Sequence, residues 1–508
     1  MSFRIMSGRL LKRGSSNRCC SIAVAACHRN FSGRFCSAPL TVTLSNNDIE
    51  GERAAGKRER RNNSDFQRRL FVAGPTNDDN DVDDLEKLVC KPLQSPVGVI
   101  DESSSPNSTF IPQNGSYEAY GRTKKRVLVL CTGGTLTMAP DPKQNGALAP
   151  VEGAISRYMS QMDELKEENS EMPDYVLHEY SPFRDSADLG PADWVTIAKD
   201  IESNYFRFDG FVVLTGTDTM AYIATALSFM LENLNKPVIF TGSQIPLCMP
   251  QNDARRNLIM AMIFASRDSI NEVCVFFHDR LLRANRTTKA NTHKLAAFES
   301  PNMDPLATIG ISIDENEHVL LPPAKGPLRV HLRMDPRLLT IRLVPGFDDT
   351  MIRRLVETNS SSNDNDSDTD NKQQQQPQLR ALVLQLYGTG NLPSVKESFL
   401  NLLAEATDKG IMVVASTQCF TGSVLLGHYA TGRALLEAGA VSAGDMTLEA
   451  IACKCAYLFG RPDFTNQQIG ELMGLNLRGE LTPPELLLPP TAASFSFDRC
   501  VANARKRH

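Results

Sequence analysis

The sequence predicts an α/β protein of two domains: a larger N-terminal, mainly parallel sheet with helices on both faces, and a smaller C-terminal α/β domain. Three observations carry this. From Lys124 onward, short apolar and β-branched runs alternate with longer amphipathic ones, the pattern of βαβ units. Two of the apolar runs, in RVLVLCTGGT and FVVLTGTDT, stop abruptly at glycine and threonine, as buried strands do when they turn sharply at a sheet edge. A second, shorter set of alternating runs follows the segment Lys325–Pro336.

In the first set, strands are expected at Val127–Cys131, Tyr175–Tyr180, Gly210–Thr215, Pro237–Thr241 and Glu272–Phe277. Helices are expected between them at Ala154–Glu168, Pro191–Ser203, Ala221–Asn233 and Arg255–Ser266. The second set has expected strands at Leu338–Val344, Arg380–Leu386 and Gly410–Ala415. Its expected helices are Asp348–Glu357, Val395–Lys409, Thr431–Ala438 and Thr447–Phe459. The domains are therefore placed at 124–323 and 337–488, with a linker at 324–336 and a tail at 489–508. The polar, low-complexity run across 358–379 reads as a disordered surface insertion.

The first 123 residues differ in kind. Residues 1–47 carry seven Lys or Arg and no acid, although the whole chain has a net charge of −5. An Arg-rich, Ser-rich, acid-free start is the composition of an organellar transit peptide, and Arg29-Asn30-Phe31-Ser32 resembles a mitochondrial processing site. A secretory signal with Cys19–Cys27 as its apolar core, or an untargeted tail, is the alternative. Residues 48–123 lack sustained apolar periodicity and read as a disordered linker.

Composition excludes several classes. The modest negative charge gives no reason to expect a nucleic-acid partner. No apolar run approaches the roughly 20 residues of a membrane span. The twelve cysteines form no CxxC pair and no zinc-spaced cluster, so free thiols are expected and no metal or cofactor is implied.

The chemistry is sought at the two glycine-terminated strands. Glycine lets another group approach the backbone closely, and open α/β sheets bind ligands beyond the C-terminal ends of their strands. Thr132 and Thr135 would lie at one such end, Thr217 and Asp218 at another. Taken alone, TGGT suits a phosphate or an amide, and GTDT suits a helix cap. A nucleotide site is disfavoured because neither GxGxxG nor GxxxxGK[ST] is present.

Together, TGGTLTM, HEYSPFRDSADLGPADW, GTDTMAY, KPVIFTGSQIPL, RTTKANTHKLAAFESPN and LRGELTP, in this order across Lys124–Pro483, resemble the L-asparaginase family, cytoplasmic-type (type I) branch. The resemblance implies hydrolysis of the side-chain amide of L-asparagine to L-aspartate and ammonia, with some glutaminase activity. It implies Thr135 as nucleophile, Thr217, Asp218 and Lys289 as a second catalytic group, and Asp185, Ser186, Thr217 and Asp218 as substrate-binding residues. It also implies a small-molecule substrate and a homodimer or homotetramer, with no membrane or nucleic-acid partner. An ammonia-supplying subunit of a tRNA-dependent amidotransferase is the alternative on the same fold. Ser243-Gln244 is expected to line the pocket through its backbone. The sequence departs from the family at three places: Ala147 stands near the position of a lid tyrosine, Thr215 replaces a histidine, and Gln385 stands where an effector-site arginine is expected beside Thr417-Gln418-Cys419.

Overall fold

The computed structural model describes residues 124–483 except 142–144, 167–168, 359–378, 394–396 and 428–429; it also gives the backbone of His28–Arg29, paired with Phe35–Cys36. Apart from those four residues, the expected transit peptide lies outside the described residues, as do the linker at 48–123, the tail and nearly all of the 358–379 insertion.

The N-terminal sheet is built on β1 (Arg126–Gly133), which is buried along its whole length. Side chains alternate across a strand. Leu128 and Leu130 therefore enter one core, and Val127, Val129 and Cys131 the other. A strand buried on both faces is what a parallel sheet covered by helices requires. The neighbours are β4 (Asp174–Arg184), β5 (Gly210–Leu214), β6 (Val238–Thr241) and β7 (Val273–Phe277). They lie parallel in the order β4-β1-β5-β6-β7. One core holds α2 (Pro191–Asn204) and α3 (Met220–Met230); the other holds α1 (Ala154–Met159) and α4 (Ala254–Ala265).

This order has one topological consequence. The chain leaves β1 for β4 on one side and returns to β5 on the other. Connections reverse direction between β1 and β5, and a crevice opens beyond their C-terminal ends, where such folds bind ligands.

Beyond β7 the sheet changes character. The antiparallel strands β8 (Arg280–Arg283), β9 (Ala307–Ile309) and β10 (Ile313–Glu315) extend it to eight. These strands are short, and the sequence reading did not include them. Between β1 and α1 lies a hairpin of β2 (Met138–Asp141) and β3 (Ala147–Pro150). Helix α1 is shorter than expected. Ile155, Met159 and Met162 keep helical spacing, but the Ser160 hydroxyl donates to the Arg157 carbonyl at 2.9 Å. Such back-bonding competes with helix continuation. The chain then goes on as a 3₁₀ turn at Asp163–Leu165.

The C-terminal domain is a four-stranded parallel sheet in chain order: β11 (Leu338–Arg342), β12 (Ala381–Leu386), β13 (Met412–Thr417) and β14 (Val441–Ser442). Its core includes residues of α5 (Thr350–Thr358), α6 (Glu397–Asp408) and α7 (Ala430–Glu437). Part of the expected linker adds a short strand, Arg329–Val330, to Leu231–Glu232. A final helix, α9 (Asn466–Met473), follows α8 (Leu448–Phe459).

Helix α8 joins the two domains. Helix α3 is apolar on nearly every side, and such a helix must be covered all round. The sheet covers one side and α8 another. Phe229 stacks on Tyr457 with ring centroids 5.8 Å apart, and Cys453 Sγ lies 3.3 Å from the Tyr222 carbonyl. Each large side chain buried here contributes about 1.5–3 kcal/mol.

Behind α8, Lys454 and Glu480 form a fully buried pair at 2.6 Å. Lys454 also donates to the Leu475 carbonyl, and Glu480 accepts from the backbone of Leu477 and Arg478 at 3.0 and 2.6 Å. Burial pushes the Lys454 amine below its usual range. Lys454→Met leaves Glu480 buried without its cation and is expected to cost about 3–5 kcal/mol. The double variant Lys454→Met/Glu480→Leu is expected to recover part of that loss. Urea unfolding measures both, and an unchanged midpoint for Lys454→Met contradicts the expectation.

Candidate active site

The site begins with backbone geometry at the β1/β5 crevice. Pairing of β1 with β4 jumps from Cys131↔Glu179 to Gly133↔Arg184, so β4 loops out and brings Arg184–Ser186 beside the end of β1. The Gly134 N–H donates to the Arg184 carbonyl at 3.0 Å. Gly134 has φ +82°, and a Cβ on it would lie 2.2 Å from the Gly216 nitrogen. A Cβ on Gly216 would in turn lie 2.7 Å from Ser186 Oγ. Only glycine allows these three segments to meet so closely.

Thr135 follows directly, opening a single 3₁₀ turn at Thr135–Thr137. That turn is closed by Thr137, whose backbone N–H and hydroxyl both donate to the Gly134 carbonyl, at 3.0 and 2.9 Å. Thr135 is half-buried, and its hydroxyl makes no side-chain hydrogen bond among the described residues. Thr132 differs: it is fully buried and its hydroxyl donates to the Leu214 carbonyl at 3.2 Å, tying β1 to β5. The geometry thus separates the two threonines of TGGT. One is committed to the sheet, and the other is available at its edge.

Thr217 and Asp218 leave β5 on the way to α3. Lys289, 72 residues later, reaches both: its amine lies 2.8 Å from Thr217 Oγ1 and bonds directly to the Asp218 carboxylate. The amine belongs to a two-residue strand, Thr288–Lys289, paired with Phe298–Glu299. Thr217 is buried, and the Lys289 side chain is only 15% exposed, whereas that of Asp218 is 63% exposed. A lysine is ordinarily solvated; this one is mostly buried and bonded to the two residues that the family resemblance groups with it.

Asp185 and Ser186 occupy the end of β4. Ser186 is completely buried, accepts from the Thr219 N–H at 3.3 Å through its hydroxyl, and receives the Thr219 hydroxyl on its carbonyl at 2.5 Å. Its hydroxyl also lies 3.4 Å from Asp185 Oδ1. Thr219, the last residue of GTDT, therefore pins the Asp185-Ser186 loop to the start of α3. The motif contained that signal, and the sequence reading assigned Thr219 no role.

Gln244 is the second residue missed. Its backbone was expected to line the pocket, but its N–H donates to Asp253 at 3.1 Å. The side chain faces the site instead, with Oε1 3.4 Å from Thr217 Oγ1 and Nε2 3.2 Å from the Lys294 carbonyl. Thr215 and Ser243 are buried, and their hydroxyls have no protein partner among the described residues. Ala147 is exposed and pairs with Asp141 at the far end of the β2–β3 hairpin. Gln418 spends its amide on the carbonyls of Leu343 and Gln385, at 2.6 and 2.8 Å.

The electrostatics point away from a thiol. Cys131 precedes the turn by two residues, but burial pushes its thiol up to about 12. Among the described residues, no cluster of His, Cys, Asp or Glu has the geometry to hold a metal ion. What the crevice offers is a free hydroxyl at Thr135, a hydroxyl–amine–carboxylate group at Thr217, Lys289 and Asp218, and a buried hydroxyl loop at Ser186.

Comparison with known proteins agrees with this layout. The family described as Asparaginase, N-terminal matches residues 126–320, and Glutaminase/Asparaginase C-terminal domain matches residues 337–473. The chain is 43% identical over 362 residues to L-asparaginase 1 of Escherichia coli strain K12, covering 71% of this chain and 99% of that protein. It is 37% identical over 380 residues to the 60 kDa lysophospholipase of Mus musculus, covering 71% of this chain and 63% of that one. The crystal structure of L-asparaginase I from Vibrio cholerae superposes with a TM-score of 0.61 at 37% identity, covering 71% of this chain and all of that one. With both domains matched in order and a relative aligned over nearly its full length, this chain belongs to the L-asparaginase family, in its type I branch.

Proposed function

We propose that the protein hydrolyses the side-chain amide of L-asparagine through Thr135. The observation that carries this reading is the convergence of an unengaged Thr135 hydroxyl with the Thr217–Lys289–Asp218 group at one crevice. Thr135 Oγ attacks the amide carbon and its C–N bond breaks. The proton that leaves the Thr135 hydroxyl is passed to the departing nitrogen, which leaves as ammonia, and a β-aspartyl ester remains on Thr135. A water, oriented by Thr217 and Lys289, then cleaves the ester to L-aspartate and restores the hydroxyl. Splitting the reaction in two replaces one difficult displacement by two easier ones.

Recognition falls to the groups around this centre. The Asp218 carboxylate is exposed enough to receive the substrate's α-ammonium. The Asp185-Ser186 loop faces the N-terminal end of α3, whose dipole favours an anion, here the α-carboxylate. Glutamine differs from asparagine by one methylene, worth about 1–3 kcal/mol of discrimination. A slower glutaminase activity is therefore part of this reading, as is assembly into a homodimer or homotetramer.

Three measurements test it. Purified protein should release ammonia from asparagine, and Thr135→Ala and Thr217→Ala should each lower kcat by about a thousandfold or more. Release unaffected by both substitutions rejects the mechanism, and release only with a co-purified partner points to an amidotransferase subunit. Iodoacetamide should alkylate the exposed Cys248 and Cys419 without touching Cys131, and without loss of activity attributable to Cys131. Modification of Cys131 that tracks inactivation would put the nucleophile in the wrong place here. Finally, residues 1–47 are proposed as a mitochondrial presequence. Deleting them should leave a fluorescent fusion in the cytosol, and an unchanged distribution rejects that assignment.

A further inference from the structure

We propose that Glu449, in the C-terminal domain, is a positioning residue that sets the Lys289 amine by gripping the preceding residue, Thr288. The inference rests on the reading of Lys289 as part of the catalytic group.

Lys289 is held by little regular structure. Its strand is two residues long, and its partner Phe298–Glu299 is equally short. Upstream, the chain is anchored firmly. Arg286 forms a buried pair with Asp445 at 2.8 Å, and Thr287 donates its hydroxyl to the Arg283 carbonyl at 2.7 Å. Downstream, the next backbone bond runs from the Ala290 N–H to the Ala297 carbonyl at 2.8 Å. Between these anchors, the two-residue ribbon is the only regular structure, and by itself it constrains rotation about the strand axis weakly.

The Thr288 hydroxyl removes that freedom. It donates to Glu449 Oε1 at 2.8 Å, across 161 residues of sequence. Successive side chains of a strand point to opposite faces. Fixing Thr288 on one face therefore fixes the direction of Lys289 on the other, toward Thr217 and Asp218.

Glu449 is built for holding. It lies in the first turn of α8, whose N-cap Thr447 accepts from the Ala450 N–H at 3.2 Å. An acid there gains from the helix dipole even when solvated. Glu449 instead is only 8% exposed, and burial raises its carboxyl above the usual range, against the hydrogen bonds from Thr288 and Thr447. Its bond to Thr288, 161 residues away, is a contact that helix capping does not supply. Helix α8 also packs on α3, the helix that begins beside Thr217 and Asp218. One rigid element thus references both halves of the Thr217–Lys289–Asp218 group.

The test compares Glu449→Ala, Glu449→Gln, Thr288→Val and Lys289→Met by steady-state hydrolysis of asparagine, with melting temperatures measured alongside. A displaced amine is expected to lower kcat in Glu449→Ala and Thr288→Val by about ten- to hundredfold. KM should change by less than about threefold, because the Asp185-Ser186 loop is untouched and the Asp218 carboxylate keeps its place beside α3; Glu449→Gln, which keeps the acceptor oxygen, should recover kcat to within about threefold of the parent. The double variant Glu449→Ala/Thr288→Val should be no slower than the slower single variant. Should Glu449→Ala fail to fold, Thr288→Val carries the test, since it removes one hydroxyl at nearly constant volume. A kcat within about twofold of the parent in Thr288→Val, or a loss confined to KM, overturns the positioning role while Lys289→Met is inactive. Full activity in Lys289→Met overturns the role of the lysine, and this inference with it.

Discussion

The close approach of Gly134 to Gly216 is the constraint on which the rest of the site depends. A Cβ at Gly134 would fall 2.2 Å from the Gly216 nitrogen, so the ends of β1 and β5 meet backbone to backbone. The bare face of Gly216 then admits Ser186, and the Arg184 carbonyl accepts the Gly134 N–H. Three chain segments far apart in sequence become one unit with no side chain between them. Thr135, Thr217 and Ser186 each stand within two residues of that contact. Their relative positions are therefore set by backbone, which has far fewer soft torsions than side chains of similar reach. A methyl group at either glycine would displace all three segments together.

A second unit completes the crevice from the other side. The segment Arg283–Lys289 carries the lysine, and both domains hold it: Arg283 pairs with Glu272 at 2.5 Å and donates to the Val319 carbonyl at 2.6 Å, and further bonds reach the C-terminal part of the chain. Arg283 donates to the Gly479 carbonyl at 3.4 Å, Arg286 to the same carbonyl at 2.7 Å, and Asn285 to the Arg478 carbonyl at 2.9 Å. Buried ion pairs such as Arg286–Asp445 and Lys454–Glu480 add little net stability, because desolvation offsets most of the attraction. Their value lies in geometry: an alternative packing would leave a buried charge unpaired. The C-terminal domain contributes no residue to the Thr217–Lys289–Asp218 group, yet it touches Asn285, Arg286 and Thr288, three of the four residues ahead of the lysine.

Much of this was legible in the sequence where a residue's role is local. Each expected strand of both sheets is present, because a short run of apolar and β-branched residues between turn signals has few other outcomes. Thr135, Thr217 and Asp218 stand out in the sequence itself, at the ends of glycine-terminated strands, whereas Asp185, Ser186 and Lys289 stand out only through the family resemblance. Roles that depend on distant contacts stayed hidden. Gln244 meets Thr217 through its side chain, Thr219 pins Ser186, and Glu449 grips Thr288 across 161 residues. No spacing rule reports such pairs. Two misses were local and avoidable. Thr465 and Gln468 form a capping box ahead of α9, and Ser160 marks the unwinding of α1.

The burial pattern orders the site by task. Ser186, Thr217 and Glu449 are enclosed, Lys289 is mostly so, and Asp218 is open to solvent. Desolvation strengthens every electrostatic contact among the enclosed groups, and it makes any unpaired polar atom there costly. Each of these four groups has at least one polar partner, whereas the buried hydroxyls of Thr215 and Ser243 have none among the described residues. An open carboxylate carries no such demand, so it can exchange water for a ligand cation at little cost. Asp218 joins the two tasks: its carboxylate meets solvent, where a substrate cation can arrive, and also bonds to the Lys289 amine. A cation bound at the rim is therefore felt at contact distance by the lysine, and substitutions at Asp218 act on recognition and on bond-breaking together.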